Sequence, residues 1–77
     1  MVTVHRAFGF QFVVFANDHA PPHIHVFGQG GEAKIDLGND PIVTWVNGIS
    51  RADLRRCLAE VREHRLVLLE GWRKLHG

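Results

Sequence analysis

The sequence predicts an α+β fold: a small antiparallel β-meander of about five strands packed against one long C-terminal α-helix. Three observations lead there. The first two-thirds alternates β-branched and aromatic residues with polar ones between short turns of Gly, Asn, Asp and Pro. The last third repeats apolar residues at a three-and-four spacing. A chain of 77 residues has length for a single domain, residues 1–77, and its short loops favour sequential antiparallel pairing.

Val2 to Ala7 alternates and stops at Phe8-Gly9, a turn signal. Phe10 to Ala16 carries Phe10, Phe12 and Val14 on one face and Gln11, Val13 and Phe15 on the other. Bulk on both faces suits a central strand. In His23 to Phe27, alternation puts His23, His25 and Phe27 on one face, Ile24 and Val26 on the other. Gly28-Gln29-Gly30-Gly31 is a hairpin loop. Glu32 to Leu37 then points Ala33, Ile35 and Leu37 inward and Glu32, Lys34 and Asp36 outward. Gly38-Asn39-Asp40-Pro41 turns the chain into a fifth strand, Ile42 to Val46, closed by Asn47-Gly48. The strands thus span roughly residues 2–46.

Ser50 can cap the helix, with Asp53 three residues later as a short-armed capping box. Its apolar stripe is Leu54, Leu58, Val61, Leu68, Trp72 and Leu75, widened by Cys57 and Leu69 and interrupted by Arg65. Unbroken from Arg51 to Leu75, this helix would run about 36 Å. That exceeds the width of a five-stranded small sheet. Its C-terminal part is therefore expected to overhang, or the helix to break near Gly71.

Composition removes several functions. Cys57 is the single cysteine, which excludes an internal disulfide and suits a reducing compartment. The N-terminus reads as a strand and not a signal peptide. No apolar run approaches the roughly 20 residues of a membrane span. A cytoplasmic location without membrane association is expected. The net charge of +1 excludes a strongly basic nucleic-acid binder. The halves differ, however. Residues 1–50 hold two cations (Arg6, Lys34) and four acids, net −2, whereas residues 51–77 hold seven cations and four acids, net +3. Arg55 and Arg62, seven apart on the helix, are candidate phosphate contacts, against the ordinary alternative of a solvated face with intrahelical ion pairs. A small core also favours a homodimer or a heteromeric complex, since association buries surface that the monomer leaves exposed.

Chemistry concentrates in Asn17-Asp18-His19-Ala20-Pro21-Pro22-His23-Ile24-His25-Val26, which holds three of the six histidines. Imidazole titrates near neutral pH, binds metals and moves protons. The prolines stiffen the flanking backbone. His23 and His25 point the same way with Cα atoms roughly 6.5–7 Å apart, close enough to share a metal or flank a substrate oxygen. His19 can fold back to complete a set of three, and Asp18 or Asp36 can add a carboxylate. Three readings follow: His19, His23 and His25 as ligands of a divalent metal such as zinc; metal-free acid–base or phosphate-contacting histidines; or hydrogen-bonded structural histidines. His5 and His64 can join the cluster only if the fold brings them there. Cys57 reads as a buried packing residue, and Trp45 and Trp72 as core or partner-contact residues.

The stretch from Asp18 to Val26 resembles the hallmark of small bacterial proteins grouped as domain-of-unknown-function family 4160, whose members carry an acidic residue followed by H-x-P-P-H-x-H. His64-Arg65-Leu66-Val67-Leu68-Leu69-Glu70-Gly71-Trp72 resembles that family's helical ending, and the Glu32-Ala33-Lys34-Ile35 strand fits as well. Where members often have Glu, this chain has Asp18, whose shorter arm alters the reach to a metal or substrate. The resemblance implies a toxin-like component of a two-gene toxin–antitoxin module, with a small neighbour-encoded antitoxin-like partner. On that reading the chain acts on RNA as a ribonuclease. His23 and His25 transfer protons or contact phosphate, His19 and Asp18 orient them, and Arg55 and Arg62 hold the backbone. Two alternatives stand beside it: a non-enzymatic partner-binding module, with or without metal, and a metal-dependent hydrolase with His19, His23 and His25 as ligands.

Overall fold

The computed structural model describes residues 1–76. Five strands, β1 (Val2–Ala7), β2 (Phe10–Val14), β3 (His23–Gly28), β4 (Gly31–Asp36) and β5 (Val43–Asn47), form one sheet in the order β1-β2-β3-β4-β5. Every neighbouring pair is antiparallel. The meander expected from short loops is therefore present, and β2 has a neighbour on each side, as its two bulky faces require.

The β1–β2 and β3–β4 turns are tight. Phe8 and Gly9 both have positive φ (57° and 79°), and so do Gln29 and Gly30 (54° and 77°). Two successive left-handed residues match the right-handed twist of the flanking strands. The glycine in each pair lowers the strain of that conformation. Gly28 and Gly31 consequently belong to strands, and the loop between them is shorter than the four-glycine-rich residues suggested.

Register decides which side chains face the helices. Phe12 pairs with Val26, and Val26 with Ala33. Paired residues share a face, and these three are fully buried with Phe10, Val14, Ile24, Ile35 and Leu37 against Cys57, Val61, Leu68, Leu69 and Trp72. Each large apolar side chain so buried contributes about 1.5–3 kcal/mol of transfer free energy. Val13, His25 and Lys34 are paired in the alternate row and project to the opposite face.

The C-terminal third is two helices, not the single long helix expected: α1 (Arg51–Glu63) and α2 (Arg65–His76). Ser50 caps α1, its Oγ accepting from the Asp53 backbone N–H at 3.1 Å. His64 ends α1 with φ −105° and ψ 21°. The break falls there and not near Gly71. Two polar anchors hold it. The His64 ring meets Glu60, and Arg65, the residue interrupting the apolar stripe, donates to the Gly38 carbonyl at 2.6 Å. Unbroken, the helix would run about 36 Å, whereas the folded molecule's longest extent is 33 Å. Breaking it lets α1 lie against β4 while α2 crosses β1, β2 and β3. Nor does the C-terminal part overhang: Leu68 and Trp72 are buried. Among the described residues, no helix is long and apolar enough to cross a membrane.

Gly71 has a packing role. A Cβ there would stand 2.8 Å from Val4 Cγ1 and 3.3 Å from Val4 Cβ, so α2 crosses β1 closely because this residue has no side chain. Gly71→Ala is expected to destabilise the fold by about 1–2 kcal/mol through overpacking, despite a helix-propensity gain of roughly 1 kcal/mol. In a Val4→Ala background the same change is expected to become neutral or favourable. Urea unfolding of the four proteins checks this, and a stabilising Gly71→Ala in the wild-type background would refute the close approach.

Cys57 is buried, and that burial, reinforced by Asp53 and Glu60, pushes its thiol up from the ordinary 9.0 to about 11. The folded state keeps a proton that the unfolded chain gives up sooner. Its contribution to stability is complete below about pH 9 and is lost as pH rises through about 11. The native thiol is expected to resist iodoacetamide at about pH 8 and to react once urea exposes it. Fast labelling of the native protein would contradict this.

Candidate functional site

His23 and His25 reach the site through strand alternation. With Ile24 and Val26 committed to the core, the two histidines project together from β3. The segment joining β2 to β3 then brings Asp18 to them. Its backbone N–H donates to the Phe15 carbonyl at 3.2 Å, which turns the chain. Further along, the Leu37 N–H donates to the Pro22 carbonyl at 3.0 Å, pinning the proline pair to the end of β4. The Ala20–Pro21 peptide is cis.

Asp18 Oδ2 sits between the two rings, 2.8 Å from His23 Nε2 and 3.0 Å from His25 Nε2. The remaining nitrogens are also engaged. His23 Nδ1 lies 2.9 Å from the Pro21 carbonyl oxygen, and His25 Nδ1 lies 3.3 Å from Glu32 Oε2. Aromatic walls close around the group. Phe15 meets the His25 ring edge-on at 4.8 Å between centroids, and Trp72 from α2 lies 4.9 Å from the His23 ring. His76 stacks in turn on Trp72 at 3.6 Å. His23 is only 4% exposed, whereas the Asp18 side chain keeps 29% of its surface open to solvent.

Burial raises the Asp18 carboxyl pKa, but hydrogen bonds from His23 and His25 and the positive charge those rings can carry outweigh it. The net effect holds Asp18 below its ordinary value of 3.8. It is therefore a carboxylate at neutral pH.

All four ring nitrogens of His23 and His25 face acceptor oxygens. A neutral imidazole has one N–H to donate. A neutral ring therefore leaves one of its nitrogens facing an oxygen lone pair to lone pair, a contact that a cation between them relieves. A single cation satisfies the same atoms. His23, His25 and Asp18 each offer one ligand atom, all within 4.8 Å of one another, and the outward nitrogens keep an oxygen acceptor.

The residues singled out in the sequence are thus partly gathered. Asp18, His23 and His25 meet. His19 is exposed and is not one of the three, and Asp36 stands opposite His23 in the register. Arg55 is exposed on α1. Arg62 is turned to the Pro41 carbonyl at 3.4 Å and to Asp40 at 3.6 Å. Both belong to the helix layer, across the sheet from His25. His5 and His64 stay apart from the cluster and assemble with Glu60 instead.

Sequence reasoning missed Glu32 as a partner of His25 and read Trp72 as a core or partner-contact residue, not as a neighbour of His23. Alternation did place Glu32 on the outward face. Only the β3–β4 register, with Phe27 opposite Glu32 and His25 opposite Lys34, shows how near it stands.

Comparison with curated proteins finds no match, and comparison with solved structures finds none. Among protein families, one described as "Domain of unknown function (DUF4160)" matches residues 9–73. That span includes the histidine stretch, its Asp18 and Glu32 partners, and Trp72 of the second helix. On that coverage the chain belongs to the DUF4160 family.

Proposed function

We propose that this protein is a metal-dependent hydrolase whose centre is Asp18, His23 and His25. The observation that carries the proposal is the engagement of every ring nitrogen by an oxygen acceptor. No nitrogen of either histidine is left free to exchange a proton with a substrate, which weighs against metal-free acid–base catalysis. Two imidazoles and one carboxylate suit zinc or a similar divalent ion. Such an ion would lower the pKa of a bound water and polarise a substrate oxygen.

The protein's own groups have distinct tasks in this reading. The Pro21 carbonyl and Glu32 accept from the Nδ1 side of the two rings, which fixes each ring's tautomer and orientation. Trp72 and Phe15 shield the rings from water. Asp18 is the most open of the three donors and marks the side of approach.

RNA is our proposed substrate, within a toxin-like role in a two-gene module. Lys34 lies opposite His25, and Trp45, 48% exposed, lies opposite Lys34. A cation for phosphate and an aromatic surface for a base therefore stand in one row beside the candidate centre. The cytoplasm is the compartment where such a substrate is met.

A second reading, a partner-binding module, has its own support. Leu66 and Val67 of α2 are exposed, and with Val2, Val4 and Leu75 they line an apolar groove. A small neighbour-encoded antitoxin-like protein is its proposed occupant.

Asp18→Asn and His25→Ala are expected to bind one equivalent of metal fewer than wild type and to lose RNA hydrolysis, with circular dichroism unchanged. His19→Ala should keep the metal. Glu32→Ala should weaken metal affinity by roughly 10–100-fold, the usual effect of removing a group that orients a ligand. Elemental analysis after gel filtration checks the first two. Equal metal content in wild type and Asp18→Asn would overturn the centre. For the second reading, Leu66→Lys/Val67→Lys should abolish co-purification with the co-expressed neighbour protein. Undiminished co-purification would remove that surface from consideration.

A further inference from the structure

A second group of donors lies in the helix-packed layer. His5 pairs with Phe12 in the β1–β2 register, and Phe12 belongs to the core packed under the helices. Its ring therefore enters the helix side of the sheet, whereas His25 shares a row with Val13 and projects from the other side. Glu60 and His64, one turn apart on α1 and its cap, come down to meet it. Glu60 Oε2 is 2.5 Å from His5 Nε2 and 3.2 Å from His64 Nε2. The two imidazole centroids are 4.6 Å apart, and the Phe12 ring stands edge-on to His5 at 5.3 Å.

We propose that His5, Glu60 and His64 form a second transition-metal site, independent of Asp18, His23 and His25. Their three ligand atoms fall within 4.8 Å of one another. Two imidazole nitrogens and one carboxylate oxygen match zinc and its neighbours in hardness. An all-oxygen shell of the kind calcium or magnesium needs is absent from this group. Without metal, the His5 ring hydrogen-bonds the Glu60 oxygen and the His64 Nε2 lies 3.2 Å from the same oxygen, so the donors stay gathered. A metal held at Nε2 leaves each neutral ring's single proton on Nδ1 and keeps the same three ligand atoms. Glu60 is the most buried of the three and His64 the most exposed, which leaves a coordination position on the His64 side for water.

The location gives the site its task. His5 comes from the edge strand β1, Glu60 from α1, and His64 from the residue where α1 ends. One ion would tie the edge of the sheet to the helix junction. Small domains with limited cores commonly gain stability from such a clamp.

The test separates the two sites. An Asp18→Asn/His23→Gln/His25→Gln variant, stripped with chelator and titrated with zinc chloride, is expected to bind one equivalent and to rise in Tm. Adding His5→Gln and His64→Gln should remove both responses. His5→Gln/His64→Gln alone should bind one equivalent fewer than wild type. In parallel, long-range proton–nitrogen NMR of the wild-type protein reads the imidazoles directly, so the result does not depend on any variant folding. Zinc should shift the Nε2 resonances of His5 and His64. Unmoved His5 and His64 resonances at saturating zinc would overturn the proposal, as would an Asp18-site variant that folds and binds no zinc. Neither result bears on the Asp18 centre.

Discussion

The register of β3 is the constraint on which the rest of the molecule depends. Its two-residue period sends Ile24 and Val26 into the core and sets His23 and His25 in the alternate row, where His23 is itself buried beside Trp72. A one-residue slip would exchange the two sets, burying imidazoles among phenylalanines and exposing the apolar pair. The core therefore protects the site's geometry without touching most of it. Tight turns at Phe8-Gly9 and Gln29-Gly30 reinforce the same register from the strand ends.

On that frame, the electrostatics of the site are concentrated on Asp18. Desolvating a carboxylate is unfavourable, yet this one is held ionised because both neighbouring rings direct Nε2 at the same oxygen. The arrangement is reciprocal. The rings need an anion or a cation between them, and the segment carrying Asp18 is held in place by the Phe15 and Pro22 carbonyls. Such a group has many polar atoms and few alternatives, which makes it sensitive to the loss of any one member.

The helix break at His64 links the two ends of the fold. It is what lets α2 return across β1, β2 and β3 and lay Trp72 against His23. It also aims the His64 ring at Glu60 and His5. Gly71 permits the close crossing at Val4.

By itself the sequence determined the element types, the five-strand order, the Ser50 cap, the inward face of each alternating strand and the stretch in which chemistry resides. These follow from local rules: side-chain period, turn residues and capping groups act over a few neighbours. It pointed to His23 and His25 as a pair for the same reason. Tertiary structure decided the rest. Asp18 became their shared partner through a loop whose path is set by distant carbonyls. Glu32 reached His25 through strand pairing. Arg55 and Arg62 went to the helix layer, and His5 joined Glu60 and His64 across a gap of more than fifty residues in sequence. The break at His64 was written only as an interruption of the apolar stripe at Arg65. Such contacts depend on how whole elements pack, and no local period in the chain encodes that.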